Sequence, residues 1–274
     1  MMDQRSFKME NLQRLREVEN SFGPSGAPLF KPSRILRGEG RLMKRGRKKW
    51  QPKAFFLFND VLVYGSFVLN GRWHKNQKII PLESVKLEDM EDSEEVKHQW
   101  LIRTPSKSFF VSATSYEEKQ AWMEHIQECQ SALLLCGNLQ PGKKFAATWM
   151  PDQAACKCMR CLRRFTTTNR RHHCRKCGFI VCNSCSRQRT VISHIHPTKQ
   201  LRVCALCHLR SDEEEEEEEV HNVSRQRGDS TGNSSSGEEE FASSSDEEDV
   251  QACPSSSWMI AETGTYVCML PGHL

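Results

Sequence analysis

Met9, Leu12, Leu15 and Phe22 recur at helical spacing and are followed by Gly23-Pro24, which predicts an amphipathic helix that stops at the glycine. Its apolar face either packs on the next domain or lies on a membrane surface. Glu10, Glu17 and Glu19 dilute the basic character of the polar face and favour packing. From about residue 37 the pattern shortens. Residues 54–58 (AFFLF) and 61–64 (VLVY), separated by Asn59-Asp60, read as strand, turn and strand. Further strand candidates are residues 78–80, 85–87, 100–103 and 108–112. Ser115 and Glu118 then form a capping box ahead of Trp122, Ile126 and Cys129 at helical spacing. Many short strands closed by one helix predict a small antiparallel barrel or sandwich, of class α+β.

The apolar pattern fades in a connector over residues 133–147, which contains Gly137, Pro141 and Gly142. It fails again in residues 212–219 (DEEEEEEE), a Ser/Gly stretch and residues 243–249 (SSSDEED), none of which can bury a core. The closing WMIAETGTYVCML regains apolar character and reads either as a short docking peptide or as a disordered end. The expected divisions are an N-terminal helical segment (1–34), a barrel domain (35–135), a linker (136–148), a compact module (149–208) and a disordered acidic tail (209–274). No apolar run approaches the ~20 residues of a membrane span, and the first twenty residues lack a signal-like apolar segment. These features predict a soluble intracellular protein, in which thirteen cysteines point to metal rather than to disulfides.

Charge sharpens the division. Residues 149–208 hold twelve Lys/Arg against the single acid Asp152, whereas residues 209–274 hold three Arg against seventeen Asp/Glu. Within the basic module, Cys158/Cys161, Cys174/Cys177, Cys182/Cys185 and Cys204/Cys207 form four C-x-x-C pairs, and Cys156 stands outside them. Each such turn presents two thiolates to a tetrahedral ion, so eight thiolates make two closed structural sites with no open position for a catalytic water. Sequential pairing would leave the two ions in separate loops. Interleaved pairing would tie the whole segment together, and spacing alone does not choose between them. Two zinc ions on eight thiolates would remove four of the module's eleven net positive charges, leaving about +7 for an anionic partner.

Residues 35–135 resemble a pleckstrin-homology (PH) domain, through Lys44-x-Gly46, the run WQPKAFFL (50–57) and Trp122 in the last helix. The resemblance implies a PH barrel with a C-terminal helix, a core role for Trp122, and a phosphoinositide-facing loop holding Lys44, Arg45, Arg47, Lys48 and Lys49, with Lys53 just beyond. Gln51 departs from the additional basic residue often found in lipid-binding members. Residues 149–208 resemble a FYVE zinc finger through WMPD (149–152), RRHHCR (170–175) and RVC (202–204). That family is cross-braced. The resemblance therefore implies one zinc on Cys158, Cys161, Cys182 and Cys185, and another on Cys174, Cys177, Cys204 and Cys207. It also implies that Arg170, Arg171, Arg175 and Arg202 meet the phosphates of phosphatidylinositol 3-phosphate, with Asp152 and His173 at the ring hydroxyls and His172 beside them. The order of the two domains, with FNDVLVYG and NRRHHCRKCGF, resembles the Phafin family.

The expectation is therefore a non-enzymatic adaptor on early endosomal and lysosomal membranes, acting in vesicle traffic and autophagy with links to cell death, and with protein partners. A RING-type ubiquitin ligase is the rival, disfavoured by the absence of histidine from the ligand set; a nucleic-acid-binding zinc protein is the third, disfavoured by the acidic tail. No nucleophile–base constellation marks a catalytic site. Threonines at residues 166–168 predict shallow membrane insertion by the finger. Histidine protonation predicts affinity that falls between pH ~6 and ~8. Residues 212–219 are candidates to occupy a basic lipid site intramolecularly, and Ser243–Ser245 candidates for phosphorylation that adds to the tail's charge.

Overall fold

The computed structural model describes residues 6–68, 73–94, 96–135, 144–210 and 256–259, with the backbone alone of 4–5, 136 and 266–269. The acidic run and the serine cluster of the tail lie outside these residues. The first helix, α1 (Gln4–Ser21), stops before Gly23-Pro24. Its stripe meets the barrel only over the second half, where Leu15, Val18 and Phe22 bury against Leu36, Ala54, Phe56, Phe58 and Val63. Met9, one and a half turns earlier, is 67% exposed, contrary to the periodicity. Arg14 pairs with Glu39 at 2.9 Å. The apolar face of α1 is thus consumed by the next domain.

That domain contains β1 (Leu36–Arg45), β2 (Trp50–Phe58), β3 (Val61–Val68), β4 (Trp73–Pro81), β5 (Lys86–Asp89), β6 (Gln99–Arg103), β7 (Phe109–Ser112) and the closing helix α2 (Tyr116–Cys136). The strands run antiparallel in the order β4-β3-β2-β1-β7-β6-β5. Phe55, Leu57, Leu62, Trp100, Ile102 and Trp122 fill the interior between sheet and helix, so Trp122 has the core role the resemblance implied. The start of α2 uses Ser115 Oγ to accept the Glu118 N–H at 3.1 Å. The return half of the box is displaced by one residue: Glu118 Oε2 accepts from the N–H and hydroxyl of Thr114 at 2.8 and 2.6 Å.

The sequence pattern misses β1, because LRGEGRLMKR carries two glycines and alternates weakly. Yet β1 organises the sheet. One edge pairs with β2 along its whole length, while the other pairs with β7 only at Met43 and Lys44. The N-terminal half of that second edge would be left open, a template for further strand pairing. It is filled from the far end of the chain. Strand β12 (Ser256–Met259) pairs with β1 at Gly38, Glu39 and Gly40, and β13 (Tyr266–Met269) pairs with β12. The docking-peptide reading therefore holds for residues 256–259, with the backbone of 266–269 beside them, and the target is this chain's own barrel.

Side chains fix the docking. Trp258 is 5% exposed, with its ring centroid 4.6 Å from that of Trp122 and 4.4 Å from that of His125. A Cβ on Gly38 would lie 2.2 Å from Trp258 Cε3, so only glycine admits the indole flat against β1. Trp122 Nε1 donates to Ser256 Oγ at 3.0 Å, and Ser256 Oγ donates in turn to Glu118 Oε1. Trp258→Ala should remove about 3–5 kcal/mol from the barrel, the usual range for a buried indole. Thermal unfolding of the full chain should show the first domain's transition lowered by several degrees; an unchanged transition would mean that the hairpin does not add to the barrel's stability.

Candidate functional site

A C-x-x-C turn presents two thiolates only if the chain folds back on the first cysteine. Here the N–H groups of Leu162, Gly178 and His208 donate to the carbonyls of Cys158, Cys174 and Cys204 at 2.9, 2.9 and 3.0 Å. In the remaining pair the Ser186 hydroxyl does this, donating to Cys182 O at 2.9 Å. Gly178 has φ +75°, and a Cβ there would lie 2.2 Å from Thr148 O. The turns gather the sulfurs into two groups, Cys158/Cys161/Cys182/Cys185 and Cys174/Cys177/Cys204/Cys207, with the ligand atoms of each group within 4.8 Å of one another. Pairing is interleaved. Cys156 is exposed and belongs to neither group.

The donor chemistry of both groups fits zinc. Backbone N–H groups of Cys182 and Cys204 donate to Cys158 Sγ and Cys174 Sγ at 3.3 and 3.2 Å. Arg160 Nε and Nη2 reach Cys204 Sγ and Cys177 Sγ at 3.3 and 3.5 Å, so a residue of the first site's turn steadies the second site's sulfurs. Hydrogen bonds from the Cys177 thiol and from backbone N–H groups bring the Cys174 thiol down to about 4. Burial opposes ionisation of Cys182, but the Ser184 hydroxyl and the Cys185 N–H outweigh it and lower that thiol to about 6. One thiol of each set is thus ready as a thiolate at neutral pH. Hydrogen bonding to Cys174 pushes Cys177 up, and burial pushes Cys185 and Cys207 up, so metal binding would release their protons. The two four-thiolate sites are those of two structural zinc ions.

Between the sites, β8 (His172–His173) and β9 (Ile180–Val181) form a two-residue ladder that carries the RRHHCR run. His173 is 3% exposed. Its Nε2–H donates to Met150 O at 2.7 Å, and its ring stacks on Trp149 with centroids 5.1 Å apart. It therefore positions the WMPD segment and does not face an open ring-binding surface. Burial lowers the pKa of both His172 and His173, with Arg202 and Arg47 adding to the effect at His172. Arg175 stacks 3.9 Å from the Trp149 ring centroid, and its Nη1 donates to His173 O. Arg202 Nη1 is held by Asn183 Oδ1 and Ser186 O at 3.0 and 2.8 Å. Arg171 Nε donates to Ala155 O at 3.3 Å, while Arg170 is exposed beside Thr167. Asp152 is the one acid of the finger. Its Oδ1 is buried without a hydrogen-bond partner, 3.7 Å from His173 Nε2.

The first domain brings its own cations to the same side. A cavity of about 260 Å³ is lined by Lys44, Lys53, Lys78 and Lys107, by Arg45 and Arg47, and by residues 149–151 of the finger. Lys48 and Lys49 sit exposed in the β1–β2 turn and do not line it. Lys44 is in β1, not in the loop, and is 7% exposed, with its ammonium 4.2 Å from the Phe109 ring centroid. Burial, followed by Lys107 and Lys53, lowers Lys44 to about 7. Lys78, Lys107 and, apart from its place in WMPD, Trp149 were not marked as site residues by the sequence motifs, nor was Arg160. Only the last advertises itself, as a cation within a C-x-x-C turn.

The chain matches the FYVE zinc finger family over residues 148–213 and the PH domain family over residues 35–131. It is 53% identical to the rat protein "Pleckstrin homology domain-containing family F member 1" (Rattus norvegicus) over 72% of this chain and 71% of that one. It is 46% identical to chicken "Pleckstrin homology domain-containing family F member 2" (Gallus gallus) over 76% and 84%. A Caenorhabditis elegans protein, "Uncharacterized protein ZK632.12", shares 46% identity over 72% and 74%.

Metal analysis should find two zinc ions per chain. Strong chelation should unfold the finger, because its metal-binding free energy is folding free energy, and should leave the barrel's unfolding transition in place. Retention of finger structure without metal would contradict the metal's structural role. The Lys44 site yields a second expectation. An inositol phosphate entering the cavity favours the ammonium, so binding should take up a proton at about pH 8, where the buried lysine is mostly neutral before binding. Affinity then weakens as pH rises above about 7. Calorimetry in buffers of differing ionisation enthalpy reads this uptake directly; Lys44→Met should abolish it.

Proposed function

The chain belongs to the pleckstrin homology domain-containing family F, the Phafin family, and from that premise we propose that it is an adaptor for phosphatidylinositol 3-phosphate on endosomal and lysosomal membranes. At the coarser level the matter is plain. The chain carries two phosphoinositide-binding modules, which are binding modules and not enzymes, and they associate with membranes peripherally. Among the described residues no helix is long and apolar enough to cross a membrane.

The 3-phosphate reading is supported above all by Arg175, held between Trp149 and the zinc-binding turn, beside Arg47 and Arg202. A guanidinium fixed in this way offers parallel N–H donors to a phosphate. Asp152, whose side chain is partly exposed, would accept from a free ring hydroxyl and repel a phosphate in the same place. The thiolate set also separates this reading from a RING-type ligase or a nucleic-acid finger: all eight ligands are cysteines, and His173 packs on the WMPD segment. The proposed role in endosome traffic, autophagy and cell death rests on the lipid, because that headgroup would set the address.

Vesicle co-sedimentation across the phosphoinositides tests the assignment. Arg175→Ala should weaken binding to phosphatidylinositol 3-phosphate by about tenfold or more, as expected for loss of charge-assisted hydrogen bonds, and should erase the preference over other isomers. Lys53→Ala, in the barrel cavity, should weaken binding without changing that preference. Retention of 3-phosphate selectivity in Arg175→Ala would overturn the reading.

A further inference from the structure

The two cation groups are joined, and the joint has one residue at its centre. Arg47 belongs to the turn between β1 and β2, yet its backbone O accepts the Asp152 N–H at 3.0 Å. Its Nη2 lies 4.0 Å from Asp152 Oδ2, and its neighbour Arg45 reaches Gln153 Oε1 at 3.5 Å. Asp152 is the only acid in the finger. Trp149, three residues earlier, lines the first domain's cavity while it carries Arg175 against its ring, with the Lys107 ammonium 5.1 Å from the same ring.

We infer that Arg47 is a headgroup-positioning residue of the finger's own lipid site, supplied to it by the PH domain. The inference rests on the phosphoinositide reading of the finger given above. Its carboxylate contact orients Asp152 from one side, while His173 Nε2 lies 3.7 Å from Oδ1 on the other. Lys107 and Arg175 are both seated on the Trp149 ring, 5.1 and 3.9 Å from its centroid. Cations held together with one acid among them gain most from a phosphate that enters from solvent. Arg47 is itself more than half exposed, on the open side of this group.

The inference makes the domain boundary part of the binding site. A finger taken without the β1–β2 turn lacks the group that steadies its only carboxylate. The cavity of the barrel and the arginines of the finger then form adjoining parts of one anion-binding surface, with Trp149 as the wall between them.

A mutant cycle on the full chain, read by co-sedimentation with phosphatidylinositol 3-phosphate vesicles, tests this. Arg47→Ala should weaken binding by about fivefold, the effect of one cation at an anionic surface. Arg47→Lys should recover part of that loss. The Arg47→Ala effect should persist in a Lys53→Ala background and shrink below about twofold in an Arg175→Ala background, because coupled residues are not additive. Full additivity with Arg175→Ala, or loss of the effect in Lys53→Ala instead, would overturn the inference and return Arg47 to the barrel cavity alone. If Arg175→Ala itself binds normally, the lipid reading of the finger fails, and the inference fails with it. Circular dichroism and zinc content of each variant separate these outcomes from misfolding.

Discussion

Arg47, Lys107, His172, Arg175 and Arg202 repel one another, and the free energy that keeps them together has to come from elsewhere in the fold. Most of it comes from the interleaved thiolate sites, which link the RRHHCR turn to RVC and the WMPD side to the third cysteine pair. A module of about sixty residues has little apolar core with which to oppose such repulsion. Metal–sulfur bonds supply the missing rigidity, and Trp149 adds a flat apolar platform on which guanidinium and imidazole stack. The charges are therefore arranged before any lipid arrives, which lowers the ordering cost of binding.

The segment that joins the domains shares this task. Ala146 N donates to Thr104 O at 3.0 Å, and Ser108 Oγ donates to Ala146 O at 2.6 Å, so the chain leaves the barrel as an extension of its surface. Phe145 sits under the Arg103 guanidinium. WMPD thus reaches the β1–β2 turn already anchored on both sides, and the relative position of cavity and finger follows from short contacts of named residues.

Spacing made the metal sites legible, because a C-x-x-C turn is a local device whose requirements are written in consecutive residues. The choice between sequential and interleaved pairing was not local and came from resemblance. Strand β1 was hidden because Gly38 serves the approach of Trp258 and, with Gly40, leaves the strand's own text weak. Lys78, Lys107 and Trp149 were silent as site residues for the same kind of reason: their roles arise where distant segments meet. The position of His173 beside the cysteines marked it as important, but only the packing shows that it serves Trp149 and Met150.

The hairpin at the end of the chain alters what a truncation means. Strands β12 and β13 belong to the barrel's sheet although the finger stands between them and α2 in sequence. In connectivity the finger is an insertion in the first domain, bounded on both sides by elements of that domain. A cut just after the last cysteine pair would remove the acidic run, and it would also unzip an edge of the barrel and uncover Trp122. Any change in membrane affinity after such a cut would combine lost charge with a damaged sheet, and internal deletions that keep residues 256–269 are the way to separate the two.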